Sequence, residues 1–478
     1  MKVLLINSNL LKPPITPLGL AYLSSAVRNA GHEVIILDLN FSENIRNDIS
    51  KTISNFSPDV IGISIRNIDN ATMLHSVYFI PTIKEIVSLC KEFTDTPIVL
   101  GGPGFSMMPA DILKEMDVPY GIVGEGEIAF PELLNCLKDG GNVAEINGVI
   151  YRKGDKFVKN KNINMPSKDL NSIPLPDRDL LDNKRYLNDG GMGNIQTKRG
   201  CDRKCIYCTY PVIEGRRLRF RSPEKVVDEI EILINHIGID YLHFSDSTFN
   251  IPNEHAIAVC KEMIKRGIRV KWTPYMSPYL PSEELLTLVK KTGCDGIVFG
   301  ADSVSDKMLK NLEKEFTAAN IKKASELCKK LDIPFSLNLL FGGPGETKET
   351  VMETLDNLDR MKPIAVGAMI GVRCYAKTKM AKIALEQGFY KKGENLLKPL
   401  YYVSPTVDKE WLVDTIQQYA NSHENFFIPT SKKGLHTDDL IIEIFRDGIR
   451  GPFWEIYKEF RKRAAMQKDK VKGGVNYG

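Results

Sequence analysis

Short, continuous apolar runs separated by polar, glycine-punctuated stretches repeat through the first 140 residues. Val3–Ile6, Val34–Leu37, Val60–Ile65, Ile98–Leu100 and Tyr120–Val123 have strand length and no polar alternation, the pattern of strands buried on both faces. Between them, segments near 18–29, 42–55 and 74–93 read as helices, with Gly31 as a stop signal. Alternating strands and helices predict a doubly wound α/β domain with a parallel sheet and a binding crevice at the carboxyl ends of its strands. Glycine-rich turns follow the fourth and fifth strands, Gly101-Gly102-Pro103-Gly104 and Gly124-Glu125-Gly126-Glu127. Glycine there lets a backbone approach a ligand closely, and it serves a tight turn equally well.

Residues 141–194 break this rhythm. A hairpin is predicted over 148–157, turning at Lys153-Gly154-Asp155, and an Asn- and Lys-rich strap punctuated by Pro166, Pro174 and Pro176 follows. From Ile195 a second strand–helix series begins, with strands expected at 195–198, 241–245, 270–275, 296–300, 335–341 and 366–374. Six such units predict a partial (β/α)6 barrel with its chemistry at the strand ends. Segments near 408–422, 438–446 and 452–468 predict a small C-terminal helical region, and the polar tail from Gln467 is expected to fray. The boundaries that follow are 1–140, 141–194, 195–376 and 377–478.

Composition narrows the class. The 478 residues are 43% hydrophobic and 26% charged with a net charge of +4, an ordinary globular balance without the basic excess of a dedicated nucleic-acid binder. The N-terminal MKVLLINSN holds too short an apolar run for a signal peptide or membrane span. Cys90, Cys136, Cys260, Cys294, Cys328 and Cys374 are scattered and make no disulfide framework, which points to a reducing cytoplasm.

The other three cysteines change the picture. Cys201, Cys205 and Cys208 form a CxxxCxxC motif just past Gly200, and soft thiolates at this spacing suit a soft metal centre. Three ligands are one short of a closed zinc site or a fully ligated four-iron cluster. An iron–sulfur cluster with one iron reserved for a cosubstrate, a zinc loop short of a ligand, and three unrelated thiols are the readings open here. The run Arg216-Arg217-Leu218-Arg219-Phe220-Arg221 either holds anionic groups near the motif or is solvated, with Arg216 and Arg217 assigned to solvent.

CxxxCxxC with Tyr207 before its last cysteine, preceded by TKRG and followed by HFSDSTF (243–249), FGADS (299–303) and FGGPGET (341–347), resembles the radical S-adenosylmethionine superfamily. TPLGLAYL, GHEVIILDLN, PDVIGISI, VLGGPG and GEGE, in that order, resemble the cobalamin-binding domain that precedes many radical enzymes. The resemblance implies a [4Fe–4S] cluster on Cys201, Cys205 and Cys208. It implies S-adenosylmethionine contacts from Tyr207, Asp246, Ser247, Asp302, Ser303 and Asn338, with an Asx-turn at Asp246 as the alternative. For cobalamin it implies Arg66, Asn67, Gly101, Gly102 and Glu125. The chain lacks the DxHxxG loop of the cobalamin-dependent mutases, so a cobalt without a lower histidine ligand is implied, with Arg66 or Asn67 at that face. An ordinary Arg66–Asp69 ion pair is the competing expectation. RCYAKTKMA (373–381) stands where such relatives commonly read RIYPGTPLA.

The domain pair implies a cobalamin-dependent radical S-adenosylmethionine methyltransferase. A 5′-deoxyadenosyl radical would take a hydrogen atom from an unactivated carbon, which then receives a methyl group from methylcobalamin. A ferredoxin or flavodoxin donor, anaerobic conditions and a small-molecule or peptide substrate are implied with it. A cyclase or rearrangement enzyme with the same cofactors is the second reading, and a non-enzymatic cobalamin or metal sensor the third.

Overall fold

The computed structural model describes residues 1–160, 169–279, 281–428 and 434–473, so Pro166 and the last five positions of the tail lie outside the described residues. The first sheet holds β1 (Lys2–Asn7), β2 (Glu33–Asp38), β3 (Val60–Ser64), β4 (Ile98–Gly101), β5 (Tyr120–Ile122), β6 (Val149–Lys153) and β7 (Lys156–Lys159), in the order β2-β1-β3-β4-β5-β6-β7. Pairing is parallel through β5 and antiparallel beyond it. Leu4, Ile6, Ile61 and Ile63 face one core while Val3, Leu5 and Val60 face another, which is why these strands read as unbroken apolar runs. The hairpin of β6 and β7 is a continuation of this sheet: Val149 and Ile150 are buried, and the pair covers the edge that β5 would expose.

The second sheet runs β18-β15-β14-β13-β12-β11-β8, all parallel. Its strands are β8 (Gly193–Ile195), then, after the small ribbon of β9 (Lys198–Arg199) and β10 (Arg219–Phe220), β11 (Tyr241–Phe244), β12 (Lys271–Met276), β13 (Ile297–Asp302), β14 (Phe335–Phe341) and β15 (Ala365–Ile370). β16 (Val372–Arg373) and β17 (Tyr401–Tyr402) form a second ribbon, and β18 (Phe426–Phe427) closes the series. Three expectations are corrected. The first barrel strand stops at Ile195 because the amides of Thr197 and Lys198 turn onto the Asp246 carboxylate. The last predicted strand is broken at Gly371, whose φ of +80° interrupts the extended run. A seventh strand comes from the region read as helical, where Phe426 and Phe427 pair with Val366 and Gly367. The terminal helix Phe453–Gly473 also runs through the start of the tail expected to fray.

Buried charges join the two sheets. Glu229, on the helix Pro223–Glu231, accepts from Arg178 of the strap at 2.6 Å, from Arg221, and from Tyr22 of the helix Leu18–Asn29 at 3.3 Å. Glu125 and Glu127, beyond β5, meet Arg199 at 3.1 and 2.6 Å, and Glu125 also meets Arg219. The loop after β3 reaches across as well: Met73 and Leu74 pack on the barrel core, and a Cβ at Gly371 would lie 2.6 Å from the Met73 sulfur.

Candidate active site

Backbone constraints shape the cysteine loop. Gly200 has φ +93°, and a Cβ there would meet the Arg217 carbonyl at 2.2 Å, so only glycine fits before Cys201. The Cys201 amide donates to Gly215, and the Ile206 amide donates to Leu312 at 3.3 Å while its carbonyl accepts from Met380 at 2.8 Å. The loop is thus held from three sides before any metal is considered. Burial raises the thiol pKa of Cys205, and raises that of Cys208 to about 12. Both thiols feel Lys314, and Lys198, 1% exposed, faces Cys201 with its ammonium donating to the Phe249 carbonyl at 2.8 Å. Burial disfavours the charge of Lys314, but Asp302 at 2.7 Å and the thiols outweigh it and raise its pKa. Thiols that burial keeps neutral ionise when bound iron supplies positive charge, and two buried lysines offset the remaining negative charge. This donor set fits an iron–sulfur cluster. Among the described residues, no three His, Cys, Asp or Glu side chains gather closely enough to hold a single metal ion.

The residues expected at S-adenosylmethionine divide into two groups. Asp246 accepts from the Thr197 amide at 2.7 Å, the Thr197 hydroxyl at 2.6 Å and the Lys198 amide at 3.2 Å, so its oxygens position the strand end ahead of the cysteines. Ser247 donates to the Gly200 carbonyl, and Ser303 is buried against Thr354. All three side chains thus have partners within the protein. Asp302, by contrast, joins the motif: it accepts from Tyr207 and pairs with Lys314, at a left-handed φ of +65°. Asn338 sits half-buried on β14 with its amide near the Tyr275 hydroxyl.

On the first sheet, Arg66 is the informative residue. Its expected loop partner Asp69 instead accepts from Arg373 Nε at 2.8 Å and from the Tyr375 hydroxyl at 3.2 Å, tying the loop to the barrel. Among the described residues no hydrogen bond or ion pair reaches the Arg66 guanidinium, and burial lowers its pKa, with the Tyr210 and Tyr186 hydroxyls nearby. Asn67 lies half-buried beside it. An unpaired guanidinium in the gap between sheets fits a large, polar-edged cofactor such as cobalamin. Gly101 has only ordinary contacts, whereas a Cβ at Gly102 would meet the Ile65 carbonyl at 2.7 Å, so that glycine serves close packing of backbone on backbone. Glu125 pairs with Arg199 and Arg219, at the joint between the sheets.

Two tyrosines missing from the expected set line the same gap. Tyr210 and Tyr275 are 39% and 42% exposed, yet burial raises both hydroxyl pKa values, the combination shown by side chains facing an internal cavity. Tyr210 lies close enough to Cys208 and to Arg66 to interact electrostatically with both. Lys198 was visible in TKRG but carried no sign of burial, and nothing near Lys314 in the sequence marked it. The FGGPGET loop contributes Glu346, 1% exposed, which accepts from the Gly342 amide. Burial raises its pKa to about 7 against the backbone donors of Gly342 and Gly343. A carboxyl whose pKa rises on folding stabilises the fold less as pH climbs, so stability is expected to fall from pH 4.5 to about 7. Glu346→Gln should flatten the thermal midpoint between pH 5 and 8; a slope equal to the parent's would remove Glu346 as its source.

The Radical SAM superfamily model matches residues 195–358, and the B12 binding domain model matches residues 6–134. An uncharacterized methyltransferase of Pyrococcus horikoshii is 31% identical over 341 residues, covering 71% of this chain and 72% of that protein. Tryptophan 2-C-methyltransferase of Streptomyces laurentii is 28% identical over 452 residues, covering 80% and 74%. The structure of the radical S-adenosylmethionine methyltransferase TsrM from Kitasatospora setae, with cobalamin and a [4Fe–4S] cluster bound, superposes with a TM-score of 0.85 at 25% identity. That superposition covers 97% of this chain and 99% of the other. With both domain types in one chain and a shared architecture along nearly its whole length, the protein belongs to the cobalamin-dependent radical S-adenosylmethionine methyltransferases, whose cofactors are a [4Fe–4S] cluster, S-adenosylmethionine and cobalamin.

Proposed function

We propose that the protein methylates a carbon atom of a small molecule held in the gap between its two sheets. The observation that carries this reading is Tyr210, two residues past Cys208, whose hydroxyl lies close enough to both the Cys208 thiol and the unpaired Arg66 guanidinium to interact electrostatically with each. Relatives named for carbon methylation, the tryptophan 2-C-methyltransferase and a hopanoid C-3 methylase, support it. When bound, the reduced cluster supplies the electron that cleaves S-adenosylmethionine to a 5′-deoxyadenosyl radical, and cobalamin supplies the methyl group. Cys201, Cys205 and Cys208 would hold the cluster, with Lys198 and Lys314 compensating their charge. Tyr207, Asp302 and Lys314 form one hydrogen-bonded unit that fixes the loop on its barrel side. Asn338 is assigned to the cosubstrate's ribose. Arg66 and Asn67 would stand at the lower face of cobalamin, where an arginine offers no lone pair to cobalt, and the Gly101–Gly102 turn would pass beside the corrin. A ferredoxin or flavodoxin is the expected electron donor, under anaerobic conditions.

Reduction of the anaerobically reconstituted protein with S-adenosylmethionine tests the assignment. Release of S-adenosylhomocysteine together with 5′-deoxyadenosine is expected, because the cosubstrate then serves both as methyl source and as radical source. A product heavier by one CH₂ completes the demonstration. 5′-Deoxyadenosine with no S-adenosylhomocysteine would move the protein to the non-methylating enzymes, and neither nucleoside would exclude both.

A further inference from the structure

Protein closes much of the surface around the cysteine loop. Ile206, 2% exposed, lies in a small core with Leu312, Val372, Met380 and Tyr402. Tyr207, Asp302 and Lys314 close the barrel side, and Lys198, three positions before Cys201, is buried on the Phe249 carbonyl. Another side faces solvent. Asp202 and Lys204, inside the motif, are exposed, and so are Arg216 and Arg217. The two arginines sit against the loop itself. The Arg216 guanidinium donates to the Arg203 carbonyl at 3.2 Å, and the Arg217 carbonyl is the group that forbids a Cβ at Gly200. The backbone between them is joined as well, through the Cys201 amide on the Gly215 carbonyl.

Charge on this side is left with one sign. The carboxylates of Asp202 and Glu315 both pair with Arg203. Among the described residues, no ion pair reaches Lys204, Arg216 or Arg217. Cations gathered without counter-ions repel one another, and they raise the local concentration of an acidic partner.

We propose that Lys204, Arg216 and Arg217 form the docking surface of a ferredoxin, an acidic iron–sulfur protein that carries electrons singly. The proposal rests on the radical methyltransferase reading, in which the cluster must be reduced, and adds where its donor sits. On contact one electron passes from the reduced carrier to the cluster; no bond breaks and no proton moves. A carrier that gives one electron at a time matches a centre that takes one. Such encounters bury little surface, below about 1,200 Å², and rely on complementary charge to find their register. The solvent side of one loop is area enough.

Isothermal titration calorimetry of the holoenzyme with an oxidised [2Fe–2S] ferredoxin tests the surface without turnover. Affinity is expected to weaken roughly tenfold as ionic strength rises from about 0.01 to 0.15 M, where the screening length falls from about 30 to 8 Å. The triple variant Lys204→Glu, Arg216→Glu, Arg217→Glu should lose at least that factor at low salt and keep the parent's iron content. Arg216 also bonds to the loop backbone, so the double variant Lys204→Glu, Arg217→Glu retains it and should show most of the loss. Ferredoxin-driven formation of 5′-deoxyadenosine should slow in both variants, while formation driven by excess dithionite should match the parent's. Salt-independent binding of ferredoxin, or variants that bind it as the parent does, would overturn the proposal. So would salt-sensitive binding of a flavodoxin with none of ferredoxin, which gives the surface to a different carrier. Release of S-adenosylhomocysteine driven by dithionite reports on methyl transfer with no carrier present, so failure of the docking surface and failure of the methyltransferase reading give different results.

Discussion

A Cys205→Ala protein, reconstituted anaerobically, is expected to carry background iron and sulfide where the parent carries about four of each per chain. Its 5′-deoxyadenosine output on reduction should fall to nothing measurable. The physical reason is the narrow ligand supply. Each of the three thiolates is expected to hold a different iron, and no other cysteine lies near enough in sequence to substitute. The loop's backbone bonds to Gly215, Leu312 and Met380 do not use the Cys205 side chain, so the fold should survive the change. Cobalamin should still bind, because the first sheet carries its own two cores. Iron content and the cobalamin absorbance, measured on one preparation, separate these effects. Full iron content in the variant would remove Cys205 from the ligand set.

The largest loss of stability is expected from Glu229→Gln. One carboxylate, 1% exposed, neutralises two buried guanidiniums, Arg178 and Arg221, and also takes the Tyr22 hydroxyl. Glutamine keeps the volume and one acceptor but leaves both cations without their anion. Breaking a buried pair by removing one partner costs about 3–5 kcal/mol, because the stranded charge cannot return to water without opening the structure. The first transition in urea unfolding should therefore move to markedly lower denaturant in the Gln variant. A shift below about 1 kcal/mol, the usual value of an exposed pair, would show that water reaches this joint.

Much of the architecture was legible in the sequence because parallel strands covered on both faces demand unbroken Val, Ile and Leu runs. Val60–Ile65 and Phe335–Phe341 announced themselves in that way. Two-residue strands such as β9, β10 and β18 have no period to read, and they exist because a tertiary neighbour offers free backbone groups. The arginine run shows where local pattern stops. Arg216 and Arg217 are exposed, as assigned, but Arg219 and Arg221 are buried on carboxylates 94 and 8 residues away. Spacing alone exposed Cys201, Cys205 and Cys208, since ligands to one cluster must lie close along a loop. Lys198 and Lys314 could not be found so, because a lysine is seldom buried and its burial depends on partners that folding supplies. Asp246 is a related case: a carboxylate at a strand end serves a cosubstrate or a neighbouring backbone equally well, and its bonds from the Thr197 and Lys198 amides come from residues 49 and 48 positions away, which no local pattern announces.

The joint between the sheets also governs how the protein responds to ionic strength. Added salt weakens charge pairs that face water, over a screening length of about 8 Å at physiological concentration. It has little access to pairs such as Asp69–Arg373, whose side chains are 0% and 3% exposed. High-salt buffers that strip loosely bound proteins should therefore leave the mutual orientation of the sheets intact, and with it the distance between Arg66 and the cysteine loop. The two sheets are thus held in register by charges the solvent cannot screen.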